Sequence, residues 1–192
     1  EIPIIINGEK ILTNDTEKCV MPHDHQHVLA NYHKADKDLA LQAIESSLET
    51  WNEWSKTDLD YRIDIFHKAA TLLAGKWRDT MNAATMLNQS KNAFQAEIDA
   101  ACELIDFFNF NALYAKNIHR KQELISPNGM KNSLEYRPLE GFIFAITPFN
   151  FTSIAGNLPT APTFMGNVSI WKPASSAVYA CHFLMELLKE AG

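Results

Sequence analysis

Cysteine is scarce in this chain. Cys19, Cys102 and Cys181 are odd in number, far apart and without any CxxC spacing. A disulfide framework or a cysteine-built zinc site is therefore not expected, and a reducing compartment fits best. Glycine is sparse too: the seven glycines are scattered, and neither GxGxxG nor GxxxxGK followed by Ser or Thr occurs, so both common phosphate-cradling loops are absent. Positive charge is also short, with 17 Lys and Arg against 23 Asp and Glu, a formal charge of −6. The strongest basic cluster is His119-Arg120-Lys121, so neither nucleic acid nor an anionic membrane surface is an expected partner. No apolar run approaches the roughly 20 residues of a membrane span, and the first residues do not read as a charged-then-apolar leader.

What is present is a chain of 192 residues, 46% apolar, enough to bury a sizeable core in one large domain or two small ones. A small-molecule site suits this composition. Residues 2–6, the Asn7-Gly8 pair and residues 9–12 predict a β-hairpin. From Asp36 the apolar period becomes helical: Ala40, Ile44, Leu48 and Trp51 mark a first helix. Thr57-Asp58-Leu59-Asp60 has the form of a capping box opening a second, long one, with the stripe Phe66, Ala70, Leu73, Trp77, Met81, Ala84 and Leu87 and a weak point at Gly75. Ser90 is expected to cap a third, with the stripe Phe94, Ile98, Ala101, Ile105, Phe108, Ala112 and Ala115. Ser126-Pro127-Asn128-Gly129 reads as a turn, and residues 131–137 alternate like a half-exposed strand that stops at Pro138.

The most informative stretch is residues 135–173, EYRPLEGFIFAITPFNFTSIAGNLPTAPTFMGNVSIWKP. Two strand-like runs, residues 142–146 and 168–171, flank a loop rich in Pro, Asn and Phe, and Ser175 is placed to cap a closing helix. Polar groups then gather at the carboxyl ends of adjacent strands, where open α/β sheets bind ligands. Only two core strands occur, and two parallel strands do not cover their own edges. The expectation is an unfinished sheet, the amino-terminal part of a longer protein.

Single residues divide between chemistry and structure. His23, His25 and His27 recur at every second residue, as a metal site on a strand would, but after Met21-Pro22 they read as surface groups in a polar loop; no metal is assigned. Cys102 and Cys181, in amphipathic helical patterns, read as packing thiols. Asp99, Glu103 and Asp106 form an acidic stripe that reads as a solvated face. Lys172, after a strand, suits ribose hydroxyls or phosphate. Asn150, between Phe149 and Phe151, suits donation to an oxyanion, although the residues alone favour a bond to its own loop.

The run FIFAITPFNFTSIAGNLPTAPTFMGNVSIWKPASSA resembles the aldehyde dehydrogenase superfamily, where a Pro-aromatic-Asn-aromatic loop and a Trp-Lys-Pro strand end occur in this order. MPHDHQHVLANYHKAD, NAATMLNQSKNAFQAEIDAACELIDFFNFNA and EYRPLEGF are similar to the branch that oxidises L-glutamate γ-semialdehyde, over essentially the whole chain. The resemblance implies an α/β fold: an incomplete Rossmann-like NAD-binding domain of the aldehyde dehydrogenase fold, preceded by a β-hairpin and three long helices. Residues 1–192 would be the amino-terminal part of that domain, with residues 120–138 contributing to an oligomerisation sheet and the catalytic domain outside this chain.

By position, the resemblance makes Asn150 the oxyanion-stabilising catalytic residue. Thr147, Pro148 and Phe149 would line the dinucleotide cleft, Lys172 and Pro173 would meet the adenosine ribose, and Ser175 would stand where many relatives carry a ribose-binding Glu. Phe151 would wall the aldehyde channel and Glu103 would point toward the active site. The implied activity is NAD-dependent oxidation of L-glutamate γ-semialdehyde to L-glutamate in proline degradation, by a homodimer or higher homo-oligomer. The implied location is the cytoplasm if the source is bacterial and the mitochondrial matrix if it is eukaryotic. The nucleophilic Cys in a Gly-Gln-x-Cys-like context and the water-activating Glu are missing, so this chain alone is expected to be inactive. A relative for another aldehyde, or a non-catalytic nucleotide-binding or assembly module, stays open.

Overall fold

The computed structural model describes residues 1–192. Two antiparallel hairpins come first. β1 (Ile4–Ile6) and β2 (Glu9–Ile11) pair with Ile6 opposite Glu9, and the turn residues Asn7 and Gly8 have φ of 51° and 77°, the left-handed pair that a two-residue hairpin loop requires. The second hairpin, β3 (Thr16–Met21) with β4 (Asp24–His33), was not expected. It corrects the histidine assignment: His25 and His27 lie on β4, and His23 lies in the turn before it. Residues 24–28 are exposed, so no hydrophobic alternation marks the strand start. His23 Nδ1 lies 2.7 Å from the Ser90 hydroxyl.

The helices differ from the expected three at their ends. α1 (Lys37–Trp54) opens on Asp36, whose carboxylate accepts the Leu39 N–H at 2.9 Å, and it buries no residue fully. α2 (Leu59–Ala74) has no capping box, because Asp58 makes no capping bond and the Thr57 hydroxyl donates back to the Trp54 carbonyl. At Gly75 the expected long helix ends, and α3 (Arg78–Gln89) is separate. Ser90 closes α3 in the left-handed conformation; the cap of the next helix is Asn92, in a reciprocal box with Gln95. That helix runs on through α4 (Ala93–Ala96), a π-helical stretch Glu97–Glu103 and α5 (Leu104–Arg120). The wider turn changes its phase. Phe94 and Ile98, assigned to the buried stripe, are 74% and 49% exposed, whereas Leu104, Phe108, Ala112 and Ala115 are buried.

β5 (Ile143–Ile146) and β6 (Ser169–Lys172) are parallel, with Ile146 opposite Lys172. The expected loop between them contains α6 (Thr152–Phe164), despite Pro159 and Pro162 inside it. Gly156 lets α6 approach its neighbours: a Cβ there would fall 2.9 Å from a Leu104 methyl and 3.0 Å from one of Leu184. A 3₁₀ turn, Ser175–Ala177, leads into α7 (Val178–Ala191), where Ser175 makes no capping bond. The core lies among α2, α5, α6 and α7. Phe164 stacks on Phe66 with centroids 4.0 Å apart, and Phe108 lies 5.8 Å from Phe66, amid Ile63, Leu73, Leu184 and Leu187.

Residues 121–138 form no regular element. The predicted turn is present, with the Met130 N–H on the Pro127 carbonyl at 3.1 Å. Residues 131–137 do not form the predicted strand, because no second strand lies beside them. Instead the Gln122 side-chain amide meets both main-chain groups of Leu134, at 2.8 and 3.0 Å. No helix is long and apolar enough to cross a membrane.

Candidate functional site

The site forms where β5 ends. The Thr147 N–H continues the ladder to the Lys172 carbonyl at 3.2 Å, and the Trp171 indole N–H donates to the Thr147 hydroxyl at 2.9 Å. Pro148 then stops the ladder. Phe149 is 64% exposed, and Asn150 is exposed with a side-chain amide that makes no hydrogen bond within the chain; only its carbonyl is bonded. The alternative of an Asn tied to its own loop does not hold here.

After Phe151 the chain enters α6, whose first N–H groups need acceptors. They find Asp99. Its carboxylate accepts the Thr152 N–H at 3.0 Å and the Ser153 N–H at 2.9 Å, as a capping residue would, but from another helix. Asp99 is 2% exposed, so the solvated-stripe reading fails for it, while Asp106 is exposed. Lys91 completes the pairing: its ammonium lies 2.5 Å from Asp99 Oδ2, 2.6 Å from the Asn150 carbonyl oxygen, and 4.4 Å from the Phe151 ring centroid. The Ser153 hydroxyl lies between two carboxylates, 2.7 Å from Asp99 Oδ1 and 2.5 Å from Glu103 Oε2.

A cavity of about 290 Å³ opens beside these groups, lined by Lys91, Gln95, Ile98, Asp99, Glu103 and Phe151. Glu103 and Phe151, assigned to the aldehyde, thus come together, with Asn150 adjacent in the chain. Thr147, Pro148 and Phe149 sit at the end of β5, and Lys172, Pro173 and Ser175 follow the end of β6. Lys172 and Ser175 are exposed. Lys91, Gln95 and the buried role of Asp99 were missed. The Asn92-x-x-Gln95 box was legible and would have moved the helix start; the burial of Asp99 depends on the π-helical phase, which no period reveals.

The cysteines divide differently from expectation. Cys181 is buried, and burial pushes its thiol up to about 12. Cys19 is buried as well and raised by the same cause, beside the Asn88 amide at 3.3 Å. Cys102, expected inside, is exposed beside Arg78 and Glu97, because the π turn rotates it off the buried stripe.

Comparison with known proteins agrees with this architecture. The aldehyde dehydrogenase family model matches residues 11–192. A delta-1-pyrroline-5-carboxylate dehydrogenase from Agaricus bisporus is 46% identical over 192 residues, all of this chain and 35% of that protein. The human mitochondrial protein of that name is 46% identical over 191 residues, covering 34% of its length. The crystal structure of the Mycobacterium tuberculosis delta-pyrroline-5-carboxylate dehydrogenase bound with NAD superposes with a TM-score of 0.96 at 47% identity, covering all of this chain and 36% of that one. The chain therefore spans about a third of the length of the relatives it matches. With the family model matched from residue 11 to residue 192 and the fold shared throughout, the chain belongs to the aldehyde dehydrogenase family.

Proposed function

We propose that this chain supplies the oxyanion donor and part of the dinucleotide cleft of an NAD-dependent dehydrogenase that oxidises L-glutamate γ-semialdehyde to L-glutamate in proline degradation. The observation that carries this reading is Asn150: an unpartnered amide at the carboxyl end of a parallel strand, beside the cavity walled by Phe151 and Glu103. The substrate name comes from relatives 46% and 47% identical across the whole chain.

In this reading the aldehyde enters the cavity and its carbonyl oxygen faces Asn150. As a thiolate adds to the carbon, the electron pair moves onto oxygen and the Asn150 N–H donates to it; losing one such donor costs roughly 10² to 10³ in rate. A bound dinucleotide would supply the hydride acceptor for this oxidation. The residues here fit part of it. Thr147, Pro148 and Phe149 would form one wall of the cleft, and Lys172, Pro173 and Ser175, after the end of β6, would hold the ribose side. The amino end of α6 is not a phosphate site, because Asp99 already holds its N–H groups. The thiolate is not one of the three cysteines, since Cys19 and Cys181 are buried and none of the three lines the cavity. In this reading it and the water-activating carboxylate lie outside these residues in a longer polypeptide, of whose NAD-binding domain residues 1–192 form the amino-terminal part.

Residues 120–138 are the assembly arm in this reading, contributing to an oligomerisation sheet of a homodimer or larger homo-oligomer. The exposure of Ile125 (93%) and Met130 (70%) supports that role. Several eukaryotic relatives are named mitochondrial, which supports a matrix location in this reading for a eukaryotic source; for a bacterial source the reading is cytoplasmic. The test is NADH formation by the intact polypeptide on L-glutamate γ-semialdehyde and on aliphatic and aromatic aldehydes. Highest kcat/KM on the semialdehyde is expected. Preference for another aldehyde would overturn the substrate, and NAD binding with no turnover on any of them would overturn the enzyme reading.

A further inference from the structure

We propose that Lys91 and Asp99 are positioning residues that hold Asn150 where its amide meets the oxyanion; this rests on the role given to Asn150 above. Residues 148–150 make a single hydrogen bond, that from Lys91 to the Asn150 carbonyl. Upstream the chain is fixed at Thr147 by the β6 ladder and Trp171. Downstream it is fixed at Thr152 and Ser153 by Asp99. Lys91 ties the loop to its downstream anchor, since the same ammonium bonds Asp99 Oδ2 at 2.5 Å and the Asn150 oxygen at 2.6 Å.

The geometry sets what each group does. Holding the Asn150 carbonyl fixes the peptide plane that follows it, and so the direction in which the Asn150 side chain leaves the loop. The amide itself has no partner in the chain and cannot orient itself. Lys91 is 15% exposed at its side chain and Asp99 3%, so water does not easily replace either partner. Donors aimed at developing charge act through preorganisation, and misplacement of about 1 Å costs up to roughly a hundredfold in rate.

The experiment is a double-mutant cycle on the intact enzyme, with Lys91→Met, Lys91→Arg and Asn150→Ala, together with a crystal structure of Lys91→Met. Lys91→Met is expected to lower kcat about 10- to 100-fold with KM for NAD within about twofold, and Lys91→Arg to restore part of the loss. In the Asn150→Ala background the Lys91 substitution should add little, because its effect passes through the amide. Full additivity, or a Lys91→Met structure with Asn150 unmoved, overturns the proposal. Undiminished turnover in Asn150→Ala overturns the oxyanion reading instead, and the crystal structure still decides whether Lys91 places the loop. If Lys91→Met does not fold, Asp99→Asn takes its place in the same cycle and is judged by the same additivity and loop position.

Discussion

The two ends of α6 are held in the same way and border different things. At its amino end the buried carboxylate of Asp99, from the π-helical stretch, accepts the first N–H groups. At its carboxyl end the buried guanidinium of Arg62, from α2, donates to the Phe164 carbonyl at 2.9 Å and to both oxygens of Thr57. Each charge has the sign that the helix dipole favours. Burial holds the Arg62 pKa below its ordinary value, yet the side chain stays bonded to three acceptors. The difference lies in what is next to each end. Arg62 faces packed backbone and Pro138 near Gly166, whereas Asp99 faces Lys91, Glu103 and the cavity. The same capping device makes a scaffold at one end and a site at the other.

Asn150→Ala gives the largest expected effect: turnover of the intact enzyme roughly 10² to 10³ lower, with NAD affinity nearly unchanged. Lys172→Ala should do the reverse, weakening NAD while leaving single-turnover chemistry near normal at saturation. Stopped-flow traces with equilibrium NAD titration separate the two. If both substitutions weaken NAD equally, the amino end of α6 is not the chemical end.

Asp99→Ala should cost about 3 to 5 kcal/mol, because it takes the buried carboxylate away from the partly buried Lys91 ammonium and from the first N–H groups of α6. Turnover per folded molecule should fall as well. Arg62→Met should cost about 1.5 to 3 kcal/mol with turnover per folded molecule unchanged, since it frees carbonyl oxygens but touches no part of the cavity. Denaturant titrations beside active-site counting test the contrast. An Arg62 variant that folds and loses turnover would erase the distinction between the ends.

Much of this architecture is legible in the residues. Asn7-Gly8 gives its hairpin, the apolar runs at residues 142–146 and 168–171 give the parallel pair, and the Trp-Lys-Pro end places Lys172 beside Thr147. What was not legible depends on partners distant in sequence. Pro159 and Pro162 argue against a helix, and α6 forms because Asp99, Arg62, and the Leu104 and Leu184 side chains over Gly156 hold it. The acidic stripe looks solvated on an ideal helix. The extra width of the π turn puts Asp99 inside and Phe94 and Cys102 outside, and only packing decides that. Residues 131–137 alternate like a strand but have no neighbour, and a ladder needs two strands.

The smallest expected effect is on the outer side of the same π turn, where a carboxylate is again paired with a cation but faces water. Glu97 lies two residues before Asp99 and is paired with Arg78 and Asn82 at the surface, its side chain 34% exposed. The hydrogen bond from Arg78, then that from Asn82, holds the Glu97 carboxyl below the usual carboxylate range. A lowered folded-state pKa means the stabilisation is complete above the unfolded value, about 4.3, and is lost as pH falls through the folded one. Water screens this pair, so Glu97→Gln should cost about 0.2 to 1 kcal/mol at neutral pH. It should also flatten the dependence of stability on pH below about 4, measured by urea unfolding across an acid series. The Asp99 substitution, made two residues away in sequence but inside, should exceed it severalfold at neutral pH. If the two losses are equal, burial does not separate the inner carboxylate from the outer one.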